Sequence, residues 1–142
     1  MSFVCPFLFR IQLIYDTILP NGVSTKAGTD VDITIDLNGH SIEGGSLEIA
    51  GKVEIVDDAT PKGKIGSDIL VDEVANLALE GVEAGGDITN NGRTTVDEDT
   101  EVTGNITNND EFINDGTISG NISNNEKFTN NGVITGDVSN TA

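Results

Sequence analysis

Acidic side chains are the residues of this sequence with the most potential for chemistry. The two densest runs are Asp57-Asp58 and Asp97-Glu98-Asp99 followed by Glu101. Calcium needs several oxygens that converge at about 2.5 Å, and glycoside hydrolysis needs two carboxylates across about 5–10 Å. Neighbouring acids on a strand point alternately to opposite faces, and no calcium-loop motif is present. We therefore expect no catalytic residue, no metal site and no cofactor, with weak cation binding as the open alternative.

The remaining reactive side chains favour structural roles. His40 is the single histidine and has no cysteine or serine partner in a recognisable motif, so it is predicted to be a corner residue. Cys5 is the single cysteine, which excludes a disulfide within the chain and a cysteine zinc motif. It stands in an apolar stretch and is predicted to be a buried, inert thiol. Asn105 and Asn121 match the glycosylation sequon, but the match arises from a repeat.

The formal charge is −17, from 24 acidic and 7 basic residues. Such a surface repels nucleic acid and anionic membranes and favours cations or basic partners. The simpler interpretation is that outward acids keep a sheet-rich protein from pairing edge to edge. Basic residues are too sparse to hold a polyuronate, which argues against a lyase of that class.

A sixteen-residue repeat dominates the C-terminal third. The segment 102–109 returns at 118–125 and again at 134–140, and an earlier copy starts at Ala84. A short fixed period is typical of a solenoid, in which each coil buries its apolar side against its neighbours. Alignment by the period places Val96, Phe112 and Phe128 in one column, with two extra residues around Gly92-Arg93.

The repeat predicts a structural stack with aliphatic or aromatic residues inside, glycine where the core is thin, and asparagine at a corner. Equivalent asparagines about 4.8 Å apart can hydrogen-bond as a ladder, and they also suit turns. The predicted stack residues are Val102, Gly104, Ile106, Asn108, Phe112, Ile118, Gly120, Ile122, Asn124, Phe128, Ile134, Gly136, Val138 and Asn140.

Earlier segments also read as strands. Strict alternation over Val31–Leu37 predicts a strand with Asp32, Thr34 and Asp36 facing away from the core. Residues 47–49 and 53–55 repeat the alternation, and residues 9–13 alternate as a half-buried strand. Residues 69–82 fit either a short helix or two strands, and strands are favoured. Pro20-Asn21-Gly22 predicts a turn.

The segment Ile33–Gly45, with Asp36-Leu37-Asn38-Gly39-His40 at its centre, resembles the opening coil of right-handed parallel β-helix proteins. The likeness is to the pectate-lyase-like superfamily, as found in bacterial surface adhesins and phage fibre proteins. It covers roughly residues 25–140 and is specific for a fold rather than for an activity. That superfamily typically uses coils of twenty residues or more, so the coils here are short for it.

The predicted fold is all-β, a single-stranded parallel β-helix (β-solenoid) with coils of about 16–18 residues. Residues 1–24 are predicted to be an apolar cap or anchor, and residues 25–142 the solenoid. The apolar opening is too short and too polar for a membrane span, and no secretory signal is evident. The last repeat stops without a cap, so we expect that another chain covers it, that it is part of a longer assembly, or that its final Asp and Asn residues are enough to protect the edge.

These features predict a non-catalytic structural or adhesive solenoid on a virion surface, as a phage fibre, spike or capsid decoration. Residues 1–19 would dock on a capsid, tail or neighbouring subunit. A homo-oligomer is expected, with a trimer as one arrangement, and a surface polysaccharide is a further candidate partner. The alternatives are a fragment of a bacterial cell-surface adhesin and a β-helix carbohydrate-active enzyme.

Overall fold

The computed structural model describes residues 7–19 and 31–141, and these form a parallel β-solenoid. The described residues contain no helix, and therefore none long and apolar enough to cross a membrane. Cys5, the predicted turn at Pro20-Asn21-Gly22 and the predicted domain boundary at residue 24 lie outside the described residues. The all-β solenoid predicted from the repeat is confirmed.

The solenoid consists of short strands that alternate among three sheets. The strands are β1 Phe7–Gln12, β2 Thr17–Ile18, β3 Val31–Asp36, β4 Ile42–Glu43, β5 Ser46–Ile49, β6 Lys52–Val56, β7 Lys64–Ile65, β8 Asp68–Val71, β9 Asn76–Glu80, β10 Glu83–Ala84, β11 Ile88–Asn90, β12 Arg93–Val96, β13 Glu101–Val102, β14 Ile106–Asn108, β15 Glu111–Asn114, β16 Thr117–Ile118, β17 Ile122–Asn124, β18 Lys127–Asn130, β19 Val133–Ile134 and β20 Val138–Asn140.

Each strand from β6 onward pairs in parallel with the strand three positions earlier in the chain, and β3 and β4 pair in the same way with β1 and β2. Sheet A has the order β1-β3-β6-β9-β12-β15-β18, sheet B has β2-β4-β7-β10-β13-β16-β19, and sheet C has β5-β8-β11-β14-β17-β20. Strands β3 to β20 therefore make six full turns, and β1 and β2 add part of a turn before them. Residues 7–19 thus continue sheets A and B.

Coil length falls along the chain. In sheet B the paired inward residues are Ile42, Ile65, Ala84, Val102, Ile118 and Ile134. Their numbers step by 23, 19, 18, 16 and 16 residues. The 16- and 18-residue coils lie where the repeat predicts them. The earlier coils are longer because their corners carry loops, such as residues 57–63 between β6 and β7.

The core consists of columns of identical or similar side chains. In sheet C, Leu47, Ile69, Ile88, Ile106 and Ile122 stack in register and are buried. In sheet A, the rings of Phe112 and Phe128 stack with centroids 5.3 Å apart and planes within 8°. Parallel in-register pairing places like on like, so each coil buries its apolar side only against its neighbours.

The predicted alignment of Val96 with Phe112 is wrong. Thr94 pairs with Phe112, and Val96 pairs with Asn114. The two extra residues of that coil lie in the corner 97–100 after β12 rather than around Gly92. The alignment is wrong because it assumed that apolar residues pair with apolar residues. The buried position opposite Phe112 holds a threonine, whose hydroxyl donates to Asn90.

Two strand predictions can be compared with burial. Residues 69–82 form strands β8 and β9, as favoured. Thr34 and Asp36 lie on the outward face of β3, as expected, yet only 9% and 4% of their surfaces are exposed. Strand β1 covers them: Arg10 and Gln12 both donate to Asp36 Oδ2, at 2.8 and 3.2 Å. Arg10, Ile11 and Gln12 themselves are exposed rather than half-buried.

The repeated glycines have a different cause from the one predicted. A Cβ on Gly120 would lie 2.0 Å from the carbonyl oxygen of Gly104, and one on Gly136 would lie 2.1 Å from that of Gly120. The neighbouring coil's backbone, rather than a thin core, therefore excludes a side chain. Gly86 and Gly104 belong to the same column, with 1.9 Å between the would-be Cβ of Gly104 and the oxygen of Gly86.

Candidate functional site

A ladder of buried asparagine amides runs along sheet C. Nδ2 of Asn90, Asn108 and Asn124 donates to Oδ1 of the next asparagine, at 2.8, 2.7 and 3.0 Å, and the last acceptor is Asn140. Asn90 and Asn108 have no exposed surface. The same amides also donate to backbone carbonyls, for example Asn108 to the oxygen of Asp110 at the following corner at 3.1 Å and to that of Lys127 in the next coil at 3.0 Å. The ladder thus pairs the buried amides with one another and with backbone carbonyls.

The N-terminal end of this ladder is closed by a hydroxyl. Oγ1 of Thr94 donates to Oδ1 of Asn90 at 2.9 Å, and both residues are fully buried. The preceding member of the column is Val71, which offers no donor. An unpaired buried amide oxygen is costly, so Thr94 lets an apolar column become a polar one.

Two further ladders exist: the Asn114–Asn130 ladder was not predicted, whereas the stacking of Asn91, Asn109 and Asn125 was. Nδ2 of Asn114 donates to Oδ1 of Asn130 at 2.7 Å, continuing the inward column of Leu79 and Val96. On the outside, Asn109 donates to Asn91 and Asn125 donates to Asn109, at 2.8 and 2.7 Å. The sixteen-residue spacing of Asn114 and Asn130 was the available signal. These contacts make a rigid scaffold and hold no reacting group.

The carboxylates at 57, 58, 97 and 99 come together at one cleft. The cleft has a volume of about 480 Å³ and lies between the corner loops of two coils, beside Gly81 of the coil between them. Residues 97–100 form a corner rather than the strand that was assumed from the sequence. Acids two residues apart in such a corner can line the same cleft. The prediction of a strand at these residues therefore missed this convergence.

Two of these acids hold backbone in place. Oδ1 of Asp57 accepts from the backbone of Gly39 and Ala59 at 3.2 and 2.8 Å, and its Oδ2 accepts from Gly63. Oδ1 of Asp97 accepts from Gly81 N and Thr100 Oγ1 at 3.0 and 2.7 Å. Within the described part of the chain, no three His, Cys, Asp or Glu side chains are placed to hold a metal ion.

One carboxyl at the edge of this cleft has an altered acidity. Partial burial raises the pKa of Glu80 above its usual value, and the charge of Glu54, a hydrogen bond with Glu54 and the charge of Asp97 raise it further. Glu54 also accepts a hydrogen bond from Thr34 Oγ1 at 3.2 Å. The pair Glu54 and Glu80 is therefore a site where positive charge is favoured.

A row of alternating charges lies on the outer face of sheet A. Glu111 accepts from Arg93 NH1 at 2.7 Å and from Lys127 Nζ at 2.5 Å. The hydrogen bond from Lys127 lowers the pKa of Glu111, and the charges of Arg93 and Lys127 add to this against slight desolvation. A depressed carboxyl pKa contributes stability above the unfolded value, about 4.3, that is lost as pH falls through the folded value.

Replacing Glu111 with Gln is expected to remove that part of the acid dependence. Unfolding of the wild type and Glu111→Gln by urea between pH 2 and 7 should show that the two stabilities converge at low pH. Glu126→Gln, on an exposed neighbour in the corner before β18, is the matched control and should leave the profile unchanged. If the wild type and Glu111→Gln ran parallel over the whole range, the pairing would contribute nothing.

A second concavity, the Ala78 hollow, lies on the outer face of sheet A and has a volume of about 430 Å³. Ala78 stands in the outward row Thr34, Glu54, Ala78, Thr95, Ile113 and Thr129. It is the smallest member of that row, so the surface dips between Glu54 and Thr95. Lys52, Asn76 and Arg93 border the same hollow.

His40 lies at a corner. It follows Asn38 and Gly39, whose φ angles of 50° and 77° turn the chain, and its backbone N donates to Leu37 O at 2.8 Å. Its Nδ1 lies 3.5 Å from Asp16 Oδ1.

No protein-family model, curated protein or solved structure matches the chain.

Proposed function

We propose that the chain is a non-catalytic structural or adhesive β-solenoid of a phage virion, serving as a fibre, spike or capsid decoration. It attaches to a capsid, tail or neighbouring subunit through residues 1–19. Residues Ile33–Gly45 include most of β3, all of β4 and the corner between them. Their resemblance to the coils of pectate-lyase-like proteins supports this proposal.

The observation that carries the proposal is a group of exposed apolar side chains on the first, partial turn. Ile14, Tyr15 and Ile18 are 68%, 75% and 78% exposed, and Ile11 is 47% exposed. Exposed apolar surface of this kind favours protein contact. It adjoins a solenoid whose interior is filled by stacked columns, so the partial turn offers an adhesive surface and the solenoid offers length.

The acidic cleft supports a non-catalytic role rather than an enzymatic one. Both oxygens of Asp57 and one oxygen of Asp97 accept hydrogen bonds from backbone and hydroxyl donors at the corners. A carboxylate that holds a loop is poorly placed to activate water or protonate a leaving group, because both tasks need an available oxygen.

Immunogold labelling of particles and cells from the source organism, with an antibody against this chain, tests the proposal. Labelling of virions at the tail, capsid or fibre is the expected result. Labelling of the bacterial envelope alone would overturn the virion assignment in favour of a cell-surface adhesin, which the same exposed apolar group would serve.

A further inference from the structure

Charged side chains of both signs border the Ala78 hollow, namely Lys52 and Arg93 together with Asp32 and Glu54. Lys52, Asn76 and Arg93 are register partners on three adjacent strands, so two cations flank one amide on one side of the hollow. Adjacent strands lie about 4.8 Å apart, which places the two cationic residues about 9.6 Å apart at the backbone. The opposite side carries Glu54, the register partner of Ala78.

The groups around the hollow are available to a ligand. Among the described residues, the Asn76 amide and the Thr95 hydroxyl have no protein hydrogen-bond partner. Lys52 pairs with Asp32 at 3.3 Å, but its side chain is 67% exposed. Exposed ion pairs of this kind are weak, so Lys52 can turn towards a bound anion at little cost. Arg93 has NH1 on Glu111, and its side chain is 49% exposed.

The charges select the kind of ligand. A net anion is repelled by the −17 charge of the whole chain and by Glu54 and Glu80. A net cation is opposed by Lys52 and Arg93 on the other side. A zwitterion has no net charge and avoids both of these repulsions. The volume of the hollow, about 430 Å³, lies within the range of small-molecule sites.

We propose that the Ala78 hollow binds a small zwitterion, with its carboxylate over Asn76 between Lys52 and Arg93 and its ammonium over Ala78 beside Glu54. Asn76 and Ala78 are two residues apart on β9, about 6.6 Å along the strand. The ligand class is therefore an ω-amino carboxylate with a chain of about five carbons, rather than an α-amino acid. This site goes beyond the structural role proposed above and does not depend on it.

Titration of the full chain with 5-aminopentanoate, followed by NMR shifts and calorimetry, tests the site. Saturable binding is expected, with pentanoate and pentylamine each weaker by about tenfold or more because each loses one of the two charge contacts. Ala78→Leu fills the hollow from the outer face and is expected to weaken 5-aminopentanoate binding by about tenfold or more. Thr129→Leu places the same side chain on the same row outside the hollow and should leave binding unchanged.

Three results would overturn the proposal: no saturable binding, equal binding of pentanoate, or equal binding by Ala78→Leu and the wild type. The thermal midpoint of each variant reports folding. Should Ala78→Leu fail to fold, Glu54→Gln takes its place. It is expected to weaken 5-aminopentanoate while leaving pentanoate no weaker than before, and equal weakening of both ligands would contradict the placement of the ammonium.

Discussion

Replacing Asn108 with Asp is expected to lower the free energy of unfolding at pH 7 by about 3–5 kcal/mol. The Asn108 side chain is fully buried, and its amide nitrogen donates to Asn124 Oδ1 and to the carbonyl oxygen of Lys127. A carboxylate there loses these donors, faces the same oxygens and carries a charge without a counterion. Urea unfolding followed by circular dichroism measures the change.

The loss should shrink in acid. Burial raises the pKa of the introduced aspartate above its unfolded value of about 3.9, so its protonated, hydrogen-bond-donating form is populated below that raised pKa, and the loss disappears as pH falls to about 3.9. Asn109→Asp is the matched control, because Asn109 is exposed and donates to Asn91 on the surface. It should cost less than about 1 kcal/mol. Equal costs for the two neighbours would refute the buried ladder.

Gly120→Ala is expected to cost about 3 kcal/mol or more. The added methyl would lie 2.0 Å from the carbonyl oxygen of Gly104 and 2.5 Å from its carbon. The methyl would collide with backbone, and hydrogen bonds to the coils before and after hold that backbone in place. Ile106 N donates to Asn121 O, and Ile122 N donates to Asp137 O, each at 2.8 Å. Relief therefore requires two coils to move apart and breaks these bonds.

Ser119→Ala tests the same corner without the clash. Ser119 is exposed, and its backbone N donates to Val102 O at 2.9 Å, which an alanine keeps. A change within about 0.5 kcal/mol is expected. Thermal unfolding of both variants in parallel distinguishes them, and a Gly120→Ala protein as stable as Ser119→Ala would mean that the coils do not approach as closely as described.

The architecture was predictable because the repeat carries it. A period of sixteen residues places Ile106 over Ile122 and Asn108 over Asn124 in any parallel in-register stack, so columns follow from spacing alone. The same logic failed at Thr94. That residue sits opposite Phe112, and only the pairing of strands reveals that its partner is the Asn90 amide rather than another apolar side chain.

The candidate sites were less predictable because they depend on loop lengths and neighbouring rows. Asp57 and Asp97 lie forty residues apart, and they meet only because two long corners flank the tight corner at Gly81. The Ala78 hollow arises from one small residue between Glu54 and Thr95 on strands from different coils. No local motif marks either place, since the strand registers of the irregular coils must be known first.

The molar mass of the full chain in solution, by light scattering, tests the proposed anchoring and assembly most directly. It should be compared with a variant in which Ile14, Tyr15 and Ile18 are all replaced by Ser. The full chain is expected to be a multimer of its 14.9 kDa mass and the variant a monomer. Two monodisperse monomers would contradict it.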